Sequence, residues 1–118
     1  MRFMGTISSR ENQGEPPAAL YEAMGPFMQE AFGAGVIADT GGLEPSSKGT
    51  RFEMRDAKLN VVDGPYAEAR EVIGGWVIYN VSSREEALQW TERFIDLHRK
   101  YWPAFEFTCE LRQIIDPQ

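Results

Sequence analysis

The chain has 118 residues and a mass of 13.4 kDa, a length that suits a single domain over residues 1–118 and buries about 65% of the unfolded surface without metal or disulfide staples. Its 42% hydrophobic and 25% charged residues are those of an ordinary globular protein, which excludes a disordered or fibrous chain. Twelve basic against eighteen acidic residues leave a net charge of -6, the wrong sign for binding nucleic acid or an anionic membrane surface, and no apolar run approaches the roughly 20 residues of a bilayer span.

Arg2 to Ile7 reads as a short strand, broken by the polar stretch from Ser8 to Glu15. Pro16-Pro17 suits the first turn of a helix, and Leu20, Met24, Phe27, Met28, Ala31 and Phe32 then recur at helical spacing as one apolar stripe. Gly25-Pro26 interrupts that stripe. Proline lacks the N–H that bonds back one turn, so the spacing predicts a kink or two short helices, with Gly33 and Gly35 as left-handed stops. Val36 to Thr40 reads as a strand ending at Gly41-Gly42, and Leu43 to Gly49 as a loop.

Arg51 to Arg55 alternates polar and apolar, Asp56-Ala57-Lys58 turns the chain, and Leu59 to Val62 returns it, predicting a hairpin stopped by Asp63-Gly64-Pro65. Gly75 to Val81 is the strongest strand, apolar on both faces through Trp76-Val77-Ile78-Tyr79. Ser83-Arg84-Glu85-Glu86 has the form of a capping box. The helix it opens runs to about Tyr101, with Ala87, Trp90, Thr91, Phe94, His98 and Tyr101 on one face and Pro103 as its end. Phe105 to Ile115 is the last strand, with Phe105, Phe107, Cys109 and Leu111 on one side and Glu106, Thr108, Glu110 and Arg112 on the other.

This order predicts an α+β fold on the ferredoxin-like split βαβ plan, an antiparallel sheet with two helices on one face. The second face of the sheet then has no cover. Leaving Trp76- and Ile78-sized side chains in water forgoes roughly 1.5–3 kcal/mol each. A second copy packed sheet against sheet is the simplest cover, which predicts a homodimer with Glu110 and Arg112 at its seam.

Several features limit the chemistry. A single cysteine, Cys109, cannot form an internal disulfide, and with the lone His98 it cannot build a Cys/His zinc site. No metal and no cofactor is therefore read from the sequence. The amino terminus shows no apolar signal-peptide core, so a soluble cytoplasmic protein is expected. Gly33-Ala34-Gly35-Val36-Ile37-Ala38 matches G-x-G-x-x-A, but a helix precedes it and a strand follows, the reverse of a dinucleotide site; it reads as a helix stop.

The richest stretch is Asp63-Gly64-Pro65-Tyr66-Ala67-Glu68-Ala69-Arg70-Glu71, followed by Ile73-Gly74-Gly75-Trp76. It gathers three carboxylates, a guanidinium and a phenol on a proline-fixed loop beside the central strand. It reads either as turn punctuation with a solvated acidic loop or as a site where carboxylates near aromatics act as acid or base. His98 is in phase with Phe94 and Tyr101 and reads as a core-edge histidine or as a cleft ligand. Cys109 reads as a small core hydrophobe.

The same stretch resembles the signature of the DGPF-domain branch of the YCII-related family, Asp-Gly-Pro-Phe-Ala-Glu-Thr-Lys-Glu followed by Gly-Gly-aromatic. Leu43, Pro45-Ser46-Ser47-Lys48-Gly49 and Arg51 are similar to the family's Gly-Leu-x-Pro-Ser-Ser-Lys-Gly-x-Arg segment, and Glu110-Leu111-Arg112-Gln113 to its closing Glu-Val-Arg-Gln/Pro strand. Tyr66 stands where phenylalanine is usual, Gly41 where glutamate is common, and the histidine that some relatives carry near the first helix has no counterpart. The resemblance implies a dimeric ferredoxin-like α+β barrel with a cleft between sheet and helices. It also implies a setting near extracytoplasmic-function sigma factors, and no established reaction.

Three functional readings follow. In the first, a homodimer binds a small organic ligand in the sheet–helix cleft. Asp63, Tyr66, Glu68 and Glu71 supply polar groups, Trp76 an apolar wall, and Glu110 and Arg112 the seam. In the second, an isomerase- or lyase-type proton transfer uses Asp63 or His98 as base and Tyr66 as donor. In the third, the chain is a regulatory module for a sigma factor and exposes an apolar patch near Tyr101-Trp102-Pro103.

Overall fold

The computed structural model describes residues 1–116. Its elements are β1 (Arg2–Ser9), α1 (Ala18–Gly33), β2 (Ile37–Gly42), a short 3-10 turn at Ser46–Lys48, β3 (Thr50–Arg55), β4 (Lys58–Asp63), β5 (Val72–Asn80), α2 (Arg84–Tyr101) and β6 (Thr108–Gln113). Four strands form one antiparallel sheet in the order β2-β5-β1-β6. The strand that follows α1 thus lies one place away from β1, with β5 between them. That is the split βαβ arrangement expected from the sequence, and the fold is ferredoxin-like α+β.

Strand alternation decides which face is dry. Phe3, Val77, Tyr79 and Leu111 point to the helices, where they pack with Ile37, Met28, Ala31, Ala87 and Trp90. Their neighbours in sequence, Met4, Trp76, Ile78, Glu110 and Arg112, therefore point to the open face. Trp76 and Ile78 are half-buried there and Met4 is exposed.

Several boundaries differ from the sequence reading. α1 is one continuous helix with Pro26 inside it, not two short ones. Gly25 and Pro26 lie on its exposed side, so the carbonyl that loses its N–H partner at Pro26 faces water. Phe32, counted in the apolar stripe, is half exposed because it sits past the stripe's edge, while Leu20, Phe27 and Ala31 carry the buried face. The last strand begins at Thr108 and ends at Gln113. Phe105 and Phe107 precede it because the backbone there is already engaged. The Phe105 N–H donates to the Trp102 carbonyl at 3.1 Å and the Glu106 N–H to the Gln13 side chain at 2.9 Å.

The capping box at α2 is half formed. Ser83 Oγ accepts from the Glu86 N–H at 3.2 Å, but the Glu86 carboxylate turns back to the Ser82 N–H (3.0 Å) and hydroxyl (2.7 Å) rather than to Ser83. Those two bonds hold its pKa below the ordinary carboxylate value.

The hairpin stands apart. β3 and β4 pair only with each other, in a register that sets Phe52 opposite Val61 and Met54 opposite Leu59. The connection is the two-residue turn Asp56-Ala57, whose φ values of 53° and 61° fit the right-handed twist of a hairpin. The radius of gyration is 16.2 Å, against about 13.5 Å expected for a compact chain of this length. The projecting hairpin accounts for the excess.

Candidate functional site

A cleft of about 280 Å³ opens between the helices and the sheet. Its floor follows from register. On the helix-facing side, Thr40, Val77, Gly5 and Leu111 lie in one row across the sheet, and Gly42, Gly75, Ile7 and Cys109 in the next. The second row has no side chain at two adjoining positions, Gly42 and Gly75, and the space they leave is the mouth of the cleft. Phe27 and Met28 of α1 and Thr91 and Phe94 of α2 form the opposite wall, with Ile37 and Tyr79 at the inner end.

The polar groups within it are already partnered. Thr40 Oγ1 donates to the Trp76 carbonyl at 2.8 Å. Thr91 Oγ1 donates to the Ala87 carbonyl at 2.9 Å and lies 3.3 Å from the Tyr79 hydroxyl. Burial pushes the Tyr79 phenol above its ordinary pKa, an effect the Thr91 contact only partly opposes, and burial likewise raises the Cys109 thiol. Both groups therefore stay protonated at neutral pH and offer the cleft neutral, weakly polar surfaces.

A second, more open cavity of about 510 Å³ lies at the base of the hairpin. It is built where the loop between β2 and β3 meets the loop between β4 and β5. A side-chain carbon at Gly64 would stand 1.7 Å from the Ser46 carbonyl oxygen, so the two loops touch at a point only glycine can occupy, and the Gly64 N–H donates to the Gly49 carbonyl at 2.9 Å. A carbon at Gly49 would stand 2.9 Å from the Tyr66 hydroxyl. The Arg51 guanidinium lies over the Tyr66 ring, 3.9 Å from its centroid, and pairs with Glu68. Glu68's own backbone N–H and then that pairing hold the Glu68 carboxyl below its usual range. Ser46 gives both its hydroxyl and, at 2.9 Å, its N–H to the Glu11 carboxylate, tying the loop to the segment after β1 and lowering the Glu11 pKa.

The structure brings together Tyr66, Glu68 and Glu71 with Ser46, Lys48 and Arg51, and it separates the rest. Glu71 borders the second cavity, 3.5 Å from Thr108 Oγ1. Asp63 is exposed at the end of β4, accepts from Thr50 Oγ1 at 3.2 Å, and borders neither cavity. Trp76 reaches the edge of the first cleft, but its indole lies on the open sheet face against Gly41, because strand alternation turns it away from the helices, so it is not the cleft wall expected of it. The polar loop and the sheet–helix cleft read as one site in the sequence are thus two neighbouring sites, joined at the backbone bond from the Leu43 N–H to the Gly74 carbonyl (2.9 Å).

His98 is buried, its Nδ1 2.9 Å from the Phe94 carbonyl and its ring packed among Phe94, Phe105 and Phe107. It borders a shallow groove with Trp102 and Pro103, away from the cleft. Trp102 stacks on Phe105 at 4.2 Å and is half-buried. Glu110 and Arg112 lie 3.9 Å apart on the open sheet face.

The cleft walls were legible in the sequence only as core: Phe27, Met28, Thr91, Phe94 and Cys109 all lie on apolar stripes. The signal that distinguishes cleft from core is the pair of glycine doublets, Gly41-Gly42 and Gly74-Gly75, once their register is known. Glu11 gave no signal, since its partner is 35 residues away.

Comparison with protein families matches residues 1–94 to the YCII-related domain. The chain belongs to the YCII-related family. The matched span takes in β1, α1, β2, the hairpin, β5 and the start of α2, and with them both inter-loop contacts at the second cavity; in this YCII-related chain β6 lies beyond it. No curated protein matches the chain. No helix among the described residues is long and apolar enough to cross a membrane.

Proposed function

We propose that this protein binds a small, largely apolar organic molecule in the sheet–helix cleft, and that it does so as a homodimer seated on the open sheet face. The observation that carries the reading is a 280 Å³ space walled by Phe27, Met28, Val77 and Phe94 and left unfilled at Gly42 and Gly75. An apolar cavity of about 150 Å³ accommodates benzene, so this one suits a substituted single ring. Burying such a body removes roughly 150–200 Å² of apolar surface from water, about 4–5 kcal/mol before the cost of association. The expected affinity is therefore about millimolar at best. Tyr79 and Cys109, held neutral by burial, favour an uncharged ligand over an ionised one.

Thermal-shift screening of neutral aromatic and branched aliphatic compounds tests the proposal. A ligand at a hundred times its Kd stabilises by about 2.7 kcal/mol, roughly a 10 °C rise for a domain of this size. A side-chain carbon at Gly75 meets its nearest neighbour at 3.5 Å, an ordinary contact, so the position accepts a Cβ and Gly75→Val sets a side chain in the mouth. Stabilisation of the wild type that disappears in Gly75→Val supports the assignment. No stabiliser in the set, or equal response from both proteins, overturns it.

A further inference from the structure

The projecting hairpin is two-sided. Phe52, Met54, Leu59 and Val61 share one face through the pairs Phe52–Val61 and Met54–Leu59, and they are 68%, 72%, 66% and 52% exposed. The other face carries Arg51, Glu53, Arg55, Lys58 and Asn60, with the half-buried Val62 at its root beside Arg51. An isolated two-stranded ribbon is marginally stable in water. Four large apolar side chains side by side expose on the order of 450 Å², the size of the largest apolar patch on an ordinary monomer. A polar face fit for water beside an apolar face of this extent is the pattern of an arm that lies on something.

The same chain leaves a second surface without cover, the Met4–Trp76–Ile78 side of its sheet, with the Glu110–Arg112 pair along its β6 edge. Two sheets placed face to face cover that surface and leave both arms bare. Two arm faces laid on each other about a two-fold axis bury on the order of 900 Å² in total, short of the roughly 1,200 Å² of a stable interface. Each arm laid on the partner's sheet buries the arm face and the surface beneath it, twice over by symmetry, on the order of 1,800 Å² and within the standard range. Of these arrangements, the last covers every exposed apolar face described above.

We propose that the β3–β4 hairpin is a clasp between two copies of this chain, the Phe52–Met54–Leu59–Val61 face of each lying on the open sheet face of the other. The clasp rests on the homodimer reading and adds the element that holds it. Because β3 and β4 spring from the loops that form the second cavity, with Arg51 and Tyr66 at the root of the arm, dimerisation also fixes the walls of that cavity.

Light scattering at micromolar concentration tests this on the full chain. The wild type is expected at twice 13.4 kDa. Met54→Glu with Leu59→Glu is expected to weaken self-association at least a hundredfold and give single chains, with helical circular dichroism unchanged because neither residue is in the core; Met54→Leu with Leu59→Met is expected to stay dimeric. A wild type of single chains overturns both the clasp and the homodimer. A charged variant that remains dimeric overturns the clasp alone. A photo-crosslinker at Phe52, in a mixture of isotopically heavy and light chains, is expected to join heavy to light at the peptide carrying Trp76 and Ile78. Crosslinks within one chain, or from arm to arm, contradict the proposed placement.

Discussion

At the scale of single residues, the contact between Gly64 and the Ser46 carbonyl makes the sharpest demand. A carbon placed 1.7 Å from a backbone oxygen cannot be relieved by a side-chain rotation. Gly64→Ala is therefore expected to lose about 3 kcal/mol or more in urea unfolding, at the upper end for overpacking, whereas Gly49→Ala displaces only the far end of Tyr66 and its nearest loop atoms and costs less. Equal losses at the two positions would show that the loops do not meet as described. Glu11 gives a pH signature. The Ser46 hydroxyl and N–H lower its pKa from the ordinary 4.5. Its stabilising effect is therefore complete above that value and is lost as pH falls through the lowered folded-state pKa. Glu11→Gln is expected to have a lower urea midpoint than the wild type near pH 7 and to converge with it once pH falls below the lowered folded-state pKa; parallel pH profiles would contradict the Glu11–Ser46 tie. Asp-Gly-Pro and Pro-Ser-Ser-Lys-Gly were each legible as motifs in the sequence. That they press on each other was not, because nothing in either segment encodes the other's position.

Among the elements, Pro26 sets the clearest test. A proline in a helix interior costs about 3 kcal/mol relative to alanine, and its restriction of the unfolded chain returns less than about 1 kcal/mol of that. Its exposed position means that no packing is lost on removal. Pro26→Ala is expected to raise the stability by about 2 kcal/mol, read as a higher urea midpoint. A drop would show that Pro26 helps to place the cleft wall formed by the next two residues, Phe27 and Met28. The type and order of the elements were legible because apolar period, the Ser83 cap and the Asp56-Ala57 turn agree locally. The ends of β6 were not. Phe105 and Phe107 keep the alternation of a strand, yet they stack at 5.2 Å beside Trp102 and His98, while the Phe105 N–H bonds to the end of α2 and the Glu106 N–H between them to Gln13 instead. A sequence pattern reports which face a side chain takes, not whether a neighbouring strand is present to pair with it.

For the whole molecule, two layers with one bare sheet face follow directly from counting two amphipathic helices against a strand that is apolar on both sides. The hairpin was also legible, but its separation from the main sheet was not, since alternation within β3 and β4 is the same for an edge strand and for a free arm. The cleft lies between these cases. Its walls were read as core, and only the cross-strand placement of Gly42 opposite Gly75 turns part of that core into an opening. A neutral ring compound found by thermal shift, such as a phenol or an indole, can be titrated into the protein while the methyl resonances are followed by NMR. Binding in the sheet–helix cleft shifts the methyls of Met28, Ile37, Val77 and Thr91 and leaves Leu43 and Ile73 at the second cavity in place. Shifts at Leu43 and Ile73 alone, or none at the four cleft methyls, would contradict the cleft as the binding site.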